Sequence, residues 1–248
     1  PKEAKELYLS EGFESMSGDA DFTGGWETYS TTDLDFSDAT ETNAVEGDIT
    51  WSVNTPANFD GEGAQYIHSG QRSAAIGYTA GQEGNPFNWL VSPEATLPAE
   101  PQALQFWAWY TNSEPDAWFT KFYVTISTDG GTTWETILTL DGTQGAETNQ
   151  FDQAYEIPLD AYTEETIQLG FVYEYNDGFQ MGLDDIQIGQ PGNDAATLNV
   201  SGPSGTDLVG PCDITGTIQN LGTEDLTSLT LEWAVLDEAG NIVGNGST

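Results

Sequence analysis

The sequence predicts an all-β fold, a jelly-roll β-sandwich followed by an incomplete immunoglobulin-like β-sandwich. Short runs rich in β-branched and aromatic residues recur along residues 1–190, with Gly, Pro, Asn and Asp clusters between them. Helical periodicity is nearly absent. The clearest run is FYVTISTDGGTTWETILTL, from Phe122 to Leu140. Phe122, Val124 and Ile126 alternate with Tyr123, Thr125 and Ser127, the period of a strand with one buried face. Asp129-Gly130-Gly131 supplies a turn that accepts positive φ, and the run from Trp134 returns as a second strand. An antiparallel hairpin is expected here, at the centre of the domain.

In chain order, PKEAKE is a polar lead-in and Leu7 to Glu14 reads as the first strand. Residues 17–63 carry isolated aromatics (Phe22, Trp26, Tyr29, Trp51, Phe59) among Gly, Asp, Ser and Thr, which suits short strands in long loops and no helix. Ser73 to Tyr78, Asn88 to Pro93 and Leu104 to Thr111 follow as strands. After the hairpin come Phe151 to Ile157, Ile167 to Tyr175 and Leu183 to Ile188. The jelly roll thus occupies residues 1–190, and residues 191–195 form a linker. Residues 196–248 read as the N-terminal part of an immunoglobulin-like domain, with strands at Ala196 to Val200, Cys212 to Gln219 and Leu229 to Leu236. Such a sandwich needs about 100 residues and about seven strands. The tail is expected to be truncated, or completed by a strand that a neighbouring molecule donates. The lead-in PKEAKELYLS is a candidate donor for that self-association.

Forty-one acidic residues stand against four Lys and Arg, a formal net charge of -37. Repulsion of this size destabilises a compact state at low ionic strength. It points to a salty, halophilic setting, to bound cations, or to both. Nucleic acid and anionic membrane surfaces are excluded as partners, since Lys2, Lys5, Arg72 and Lys121 are the only fixed cations. Cys212 is alone, so no intramolecular disulfide forms. No apolar run is long enough for a transmembrane helix, so membrane insertion is not expected. Pro1 is not a translational start, and a processed product is expected.

Ser127 to Trp134 fits the Asp-box pattern S-x-D-x-G-x-T-W, which recurs in sialidase propellers. Here it occurs once, and the chain has one arginine, so the motif is read as a structural hairpin. A carboxylate pair acting as a glycosidase would need its carboxyl groups about 5–5.5 Å or about 6.5–9.5 Å apart, which sequence does not give. A carbohydrate-active enzyme therefore stays a residual reading. His68 is the sole histidine, in the loop YIHSGQRS. Calcium fits better, because hard cations take several oxygen ligands. Glu14 at the end of the first strand and the doublet Asp184-Asp185 in the last are the candidate metal ligands, with Asp19 and Asp21 to close the site. By simple alternation Asp184 shares a face with Ile186 and Ile188, where an unpaired carboxylate is costly. Trp107, Trp109, Tyr110 and Trp118 are the candidate ligand-binding aromatics, flat rings suited to sugar faces or, in the plainer reading, to the core.

In order, EGFES at 11–15, GQRSAAIG at 70–77, NWLVSP at 88–93, LQFWAWY at 104–110, VTISTDGGTTWETI at 124–137 and GFQMGLDDIQI at 178–188 resemble the cleaved-adhesin or choice-of-anchor domains. These occur in secreted and cell-surface proteins, above all of Bacteroidetes, and are related in pattern to the MAM-type jelly rolls. The resemblance covers about residues 7–190. It implies a calcium-stabilised jelly roll, extracellular or on the cell surface, that adheres to glycans or extracellular proteins. Glu14 and Asp184 match the family's acidic pair, and the tail resembles the immunoglobulin-like repeats that follow such modules. The alternative is a structural repeat of an extracellular filament or surface layer.

The charge makes one prediction by itself. Melting temperature is expected to rise as KCl or NaCl is raised to about 1 M, where the Debye length falls to roughly 3 Å. A flat or falling trend would show that the acids are neutralised locally instead.

Overall fold

The structure, a computed structural model, describes residues 6–17, 22–42, 50–77, 87–111, 121–142, 148–174, 180–190, 195–201, 215–220, 232–236 and 242–247. The chain divides into two compact units, Pro1–Gln190 and Pro191–Thr248. In the first unit the strands are β1 (Leu7–Glu11), β2 (Glu27–Thr31), β3 (Thr40–Glu41), β4 (Trp51–Asn54), β5 (Ser73–Ile76), β6 (Phe87–Val91) and β7 (Ala95–Thr96). They continue with β8 (Ala103–Tyr110), β9 (Lys121–Ser127), β10 (Glu135–Asp141), β11 (Asn149–Gln150), β12 (Tyr155–Pro158), β13 (Thr166–Glu174) and β14 (Met181–Gly189). Single helical turns such as Phe36–Asp38 and Gly63–Tyr66 interrupt the loops.

All pairings are antiparallel, in two seven-stranded sheets that form a jelly-roll-type sandwich. The first sheet runs β11-β8-β14-β5-β4, with β1 also on β14 and β12 also on β8. The second runs β10-β9-β13-β6-β2-β3, with β7 on β13. Between them lies one core that includes Phe13, Trp51, Phe106, Phe122, Phe171, Tyr173 and Ile186. Phe106 from the first sheet meets Phe171 from the second edge-on at 5.6 Å. Trp51 on β4 donates its indole N–H to the Asn88 carbonyl on β6, 3.1 Å away, so a core ring also ties one sheet to the other. Each such fully buried side chain contributes about 1.5–3 kcal/mol through burial.

The hairpin of β9 and β10 forms as read, but at the margin of its sheet: β10 is the edge strand, and β13 lies between β9 and β6. Nor is β9 buried on one face only, since Tyr123 and Thr125 are covered as well as Val124 and Ile126. The reason is a second apolar layer. Phe87, Trp89, Val91, Tyr123 and Val172 on the outside of the second sheet are roofed by Leu34, Phe36 and Trp134. Period-2 reading sees one strand at a time and does not register a loop folding over its polar-looking face.

In the second unit, β15 (Ala195–Ser201) pairs with β16 (Thr215–Asn220), and β17 (Glu232–Leu236) with β18 (Ile242–Ser247), each antiparallel. Cys212 lies outside the described residues.

The Asp-box is a structural turn. Asp129 accepts hydrogen bonds from the backbone N–H groups of Thr132 and Thr133 at 3.0 and 2.9 Å, and from the Ser127 and Thr133 hydroxyls. Trp134 folds beneath, its indole N–H on the Gly131 carbonyl and its ring against Trp89 and Phe36. The Thr133 and Ser127 donors hold the Asp129 carboxyl down at about 2. A depressed carboxylate stabilises the fold above its ordinary pKa and loses that contribution as pH falls toward the folded value. Asp129→Ala is therefore expected to lower the melting temperature at pH 7, with the gap to the parent closing between about pH 4 and pH 2. A gap independent of pH would show that the carboxylate charge is not what organises the turn.

Candidate functional site

The first sheet carries a feature that alternation along β14 does not show. Its register with β8 pairs Gly182 with Trp109, Leu183 with Ala108 and Asp184 with Trp107, then shifts before Gln187 meets Gln105. Asp185, at φ 47, is the extra residue of a β-bulge. The bulge changes the parity of the strand. Ile186 and Ile188 stay in the core, whereas Asp184 stands beside Trp107 on the outer face. The face shared with Ile186 and Ile188, expected from simple counting, is thus corrected.

On that outer face lies the loop 67–72, between the Gly63–Tyr66 turn and β5. Asp184 accepts from the backbone N–H groups of His68 and Ser69 at 2.8 and 3.0 Å. Its other oxygen accepts from the Asp185 N–H at 2.8 Å. Glu14, placed by a turn in which Phe13 has φ 60, accepts from the N–H groups of Gln71 and Arg72 at 2.7 and 2.8 Å. Asp185 takes the loop's side chains, the His68 Nδ1 at 2.7 Å and the Ser69 hydroxyl at 2.9 Å. Three carboxylates from the two ends of the domain thereby hold one loop by its donors. Two glycines permit the close fit: a Cβ on Gly70, at φ +66, would fall on the Glu14 carboxylate, and one on Gly182 would lie 2.7 Å from the Tyr66 carbonyl oxygen.

The loop delivers His68 to an aromatic strip. Its ring stacks on Trp107 at 3.8 Å and 12°, with Phe151 5.4 Å away on β11's flank. Trp109 meets Tyr66 edge-on at 4.6 Å, and Tyr66 meets Phe59 at 5.0 Å. Trp109 and Tyr66 are buried; Trp107, His68, Phe59 and Phe151 are half-buried and reach the surface. Next to Trp107 along the sheet runs a polar ladder, in which Gln105 donates to Glu156 at 2.6 Å and accepts from Gln187 at 2.9 Å.

Of the aromatics singled out by sequence, Trp107 and Trp109 share this face. Tyr110 turns to the other side of β8, where it packs on the main core and its hydroxyl lies 2.7 Å from that of Tyr155. Trp118, Asp19 and Asp21 lie outside the described residues. The contributions of His68, Phe151, Tyr66 and Phe59 were not legible, because each depends on a loop crossing the sheet. The one available signal was the Asp-Asp doublet in an otherwise apolar strand.

Cation binding requires oxygens that converge on a point. Glu14, Asp184 and Asp185 instead point at N–H and O–H donors. Among the described residues, no group of three or more His, Cys, Asp or Glu is arranged to hold a metal ion. No helix among them is long and apolar enough to cross a membrane.

No protein-family model matches the chain, and no curated protein matches it. Solved structures similar to it include the K1 cleaved adhesin domain of Lys-gingipain from Porphyromonas gingivalis W83, 18% identical over 74% of this chain and 98% of its own, with TM-score 0.48. TmCBM61 in complex with beta-1,4-galactotriose is 16% identical over 74% of this chain and 97% of its own, with TM-score 0.46. A xylan-binding domain from CBM 22 is 14% identical over 77% and 97%, with TM-score 0.38. At these identities and scores they carry no argument about what this chain binds.

Burial pushes the Asp184 carboxyl up to about 7, with the neighbouring Asp185 charge adding to the rise and the Ser69, Asp185 and His68 amides opposing it. A carboxyl raised above its unfolded value favours the fold while protonated, so its contribution weakens as pH rises. In chelator, stability is expected to fall through this group as pH rises from about pH 4 to about pH 7. Asp184→Asn, which cannot ionise, should flatten that slope even if the loss of an acceptor lowers the midpoint. Equal slopes in parent and variant would place the titration elsewhere.

Proposed function

We propose that the jelly roll is a non-catalytic module of a secreted or cell-surface protein, and that it binds a glycan on the outer face of its first sheet. The observation that carries this reading is the half-exposed Trp107–His68 stack beside the Glu156–Gln105–Gln187 ladder. A sugar ring presents an apolar C–H face and a rim of hydroxyls. It needs a flat apolar platform and planar hydrogen-bonding groups held at fixed positions, and this face offers both. The platform is held in advance: His68 is fixed by Asp185 through its ring and by Asp184 through its backbone. On the outer face of the second sheet, Leu34, Phe36 and Trp134 cover Trp89 and Tyr123, and no such polar ladder is seen beside them among the described residues. Asp184 and Asp185 are engaged with loop donors and Glu156 with Gln105, an arrangement that favours positioning over acid–base chemistry.

Calcium is kept as a separate proposal with its own readout, since the described carboxylates do not by themselves fit the ion. A melting midpoint that drops on chelation at constant ionic strength would support it, with Asp19 and Asp21 as the added ligands. An unchanged midpoint would leave Glu14, Asp184 and Asp185 as caps of the loop amides.

The binding reading is tested by calorimetry against a set of oligosaccharides. Trp107→Ala is expected to weaken binding by about tenfold or more, equivalent to about 1.4 kcal/mol of lost stacking. Gln105→Ala should weaken it several-fold through the lost rung of the ladder. Failure of the parent module to bind any oligosaccharide would refute the proposal.

A further inference from the structure

The glycan platform is set in a surface of one sign. Asp185 is about one-third exposed at the His68 end, with 32% of its side chain accessible. Glu156 forms one end of the polar ladder. Asp152 follows Phe151 directly and is exposed. Asp60 and Glu62 flank the Phe59–Tyr66 end, and the Glu62 charge is close enough to help raise the Tyr66 phenol, behind the larger effect of burial. The segments that build the platform (58–76, 103–111, 148–158 and 180–190) hold one fixed cation, Arg72. Its guanidinium donates to the Gln71 carbonyl at 2.9 Å, on the Glu14 side of the loop.

We infer that this face selects against anionic sugars, taking uncharged or aminated glycans and rejecting uronates and sulfated chains. The inference rests on the glycan reading above and adds a ligand class to it. A carboxylate carried on a sugar that stacks over Trp107 would sit among Asp185, Glu156 and Asp152; the one described arginine turns to the Gln71 carbonyl, and the imidazole on the platform, His68, is already engaged by Asp185. Bringing like charges together without a counter-ion opposes binding, and the net charge of -37 extends the repulsion to the approach of the ligand. An ammonium group at the same position would meet the opposite field. It would also have the π-face of an aromatic ring within reach.

The test uses matched oligosaccharides that share a ring and differ in one substituent: galactose oligomers, galacturonate oligomers and galactosamine oligomers. Calorimetry at about 20 mM and about 1 M salt compares a Debye length above 10 Å with one of roughly 3 Å. At low salt the uronate is expected to bind at least about tenfold more weakly than the neutral oligomer, and the amino sugar at least as tightly. At high salt the three should converge to within a few-fold. Glu156→Gln combined with Asp152→Asn should narrow the low-salt gap, with unchanged melting confirming the fold. Uronate binding equal to neutral binding at low salt would overturn the selectivity and leave the glycan reading standing. Discrimination unchanged by salt would overturn its electrostatic origin. No binding by any of the three, together with none across the wider oligosaccharide set, would overturn the glycan reading and this inference with it.

Discussion

The bulge at Asp185 is the constraint on which the rest of the site depends. β14 is an interior strand of the first sheet, bonded to β8 along one edge and to β5 and β1 along the other. An unbroken strand there would direct every second residue into the core, and Asp184 would accompany Ile186. One extra residue in the left-handed region lets the same strand bury Leu183, Ile186 and Ile188 while placing Asp184 on the opposite face. Asp184 has no accessible surface, yet its oxygens meet three backbone N–H groups. A buried carboxylate is tolerable on those terms, because each unpaired amide of the loop would otherwise cost about 1–3 kcal/mol. The strand supplies the acceptors and the loop supplies the donors. His68 is carried onto Trp107 as a consequence.

The two outer faces of the sandwich are built from similar residues and finished differently. Both carry tryptophans on interior strands, Trp89 on β6 and Trp107 with Trp109 on β8. On the second sheet, Phe36 packs within 4.9 Å of Trp89, and Trp134 closes the gap from the Asp-box turn. On the first sheet, the covering loop brings a histidine and donors held by three acids in place of further apolar bulk. Part of the aromatic surface therefore remains at the solvent boundary. Core packing accounts for the buried rings on both faces, and Trp107 and His68 are left half-buried on the first.

A chain with this charge must satisfy its acids without bases. Lys121 reaches Asp141 and Glu174 at 3.9 Å, the limit of an ion pair. More often the acids use neutral donors. Tyr29 donates to Glu27 at 2.6 Å, Tyr123 to Glu174 at 2.6 Å and Tyr162 to Glu135 at 3.1 Å. Burial, with the Glu27 and Glu41 carboxylates behind it, pushes the Tyr29 phenol up to about 12. Phenol and amide donors orient the carboxylates but leave their charge in place, so the field at the surface stays negative. The same economy shapes the outer face of the first sheet, where backbone amides, a serine and an imidazole meet Asp184 and Asp185 in place of arginines.

The sequence by itself determined the class of fold and the position of most strands. Alternation such as Phe122-Val124-Ile126 and turn chemistry such as Asp129-Gly130-Gly131 are local, and the Asp-box turn closes within eight residues, from Ser127 to Trp134. It also marked Glu14, Asp184, Asp185, Trp107 and Trp109 as residues of interest, because acids in apolar strands and clustered tryptophans stand out in any chain. What those residues do was decided by tertiary structure. The parity of Asp184 depends on a bulge whose signal is a single backbone angle, and two of its three amide partners, His68 and Ser69, lie more than 100 positions away in sequence. The placing of Tyr110 on the core side of β8 and of His68 and Phe151 on the outer face follows from which loop crosses which sheet. Such contacts are set by the packing of one layer on another, and periodicity within a strand carries no record of them.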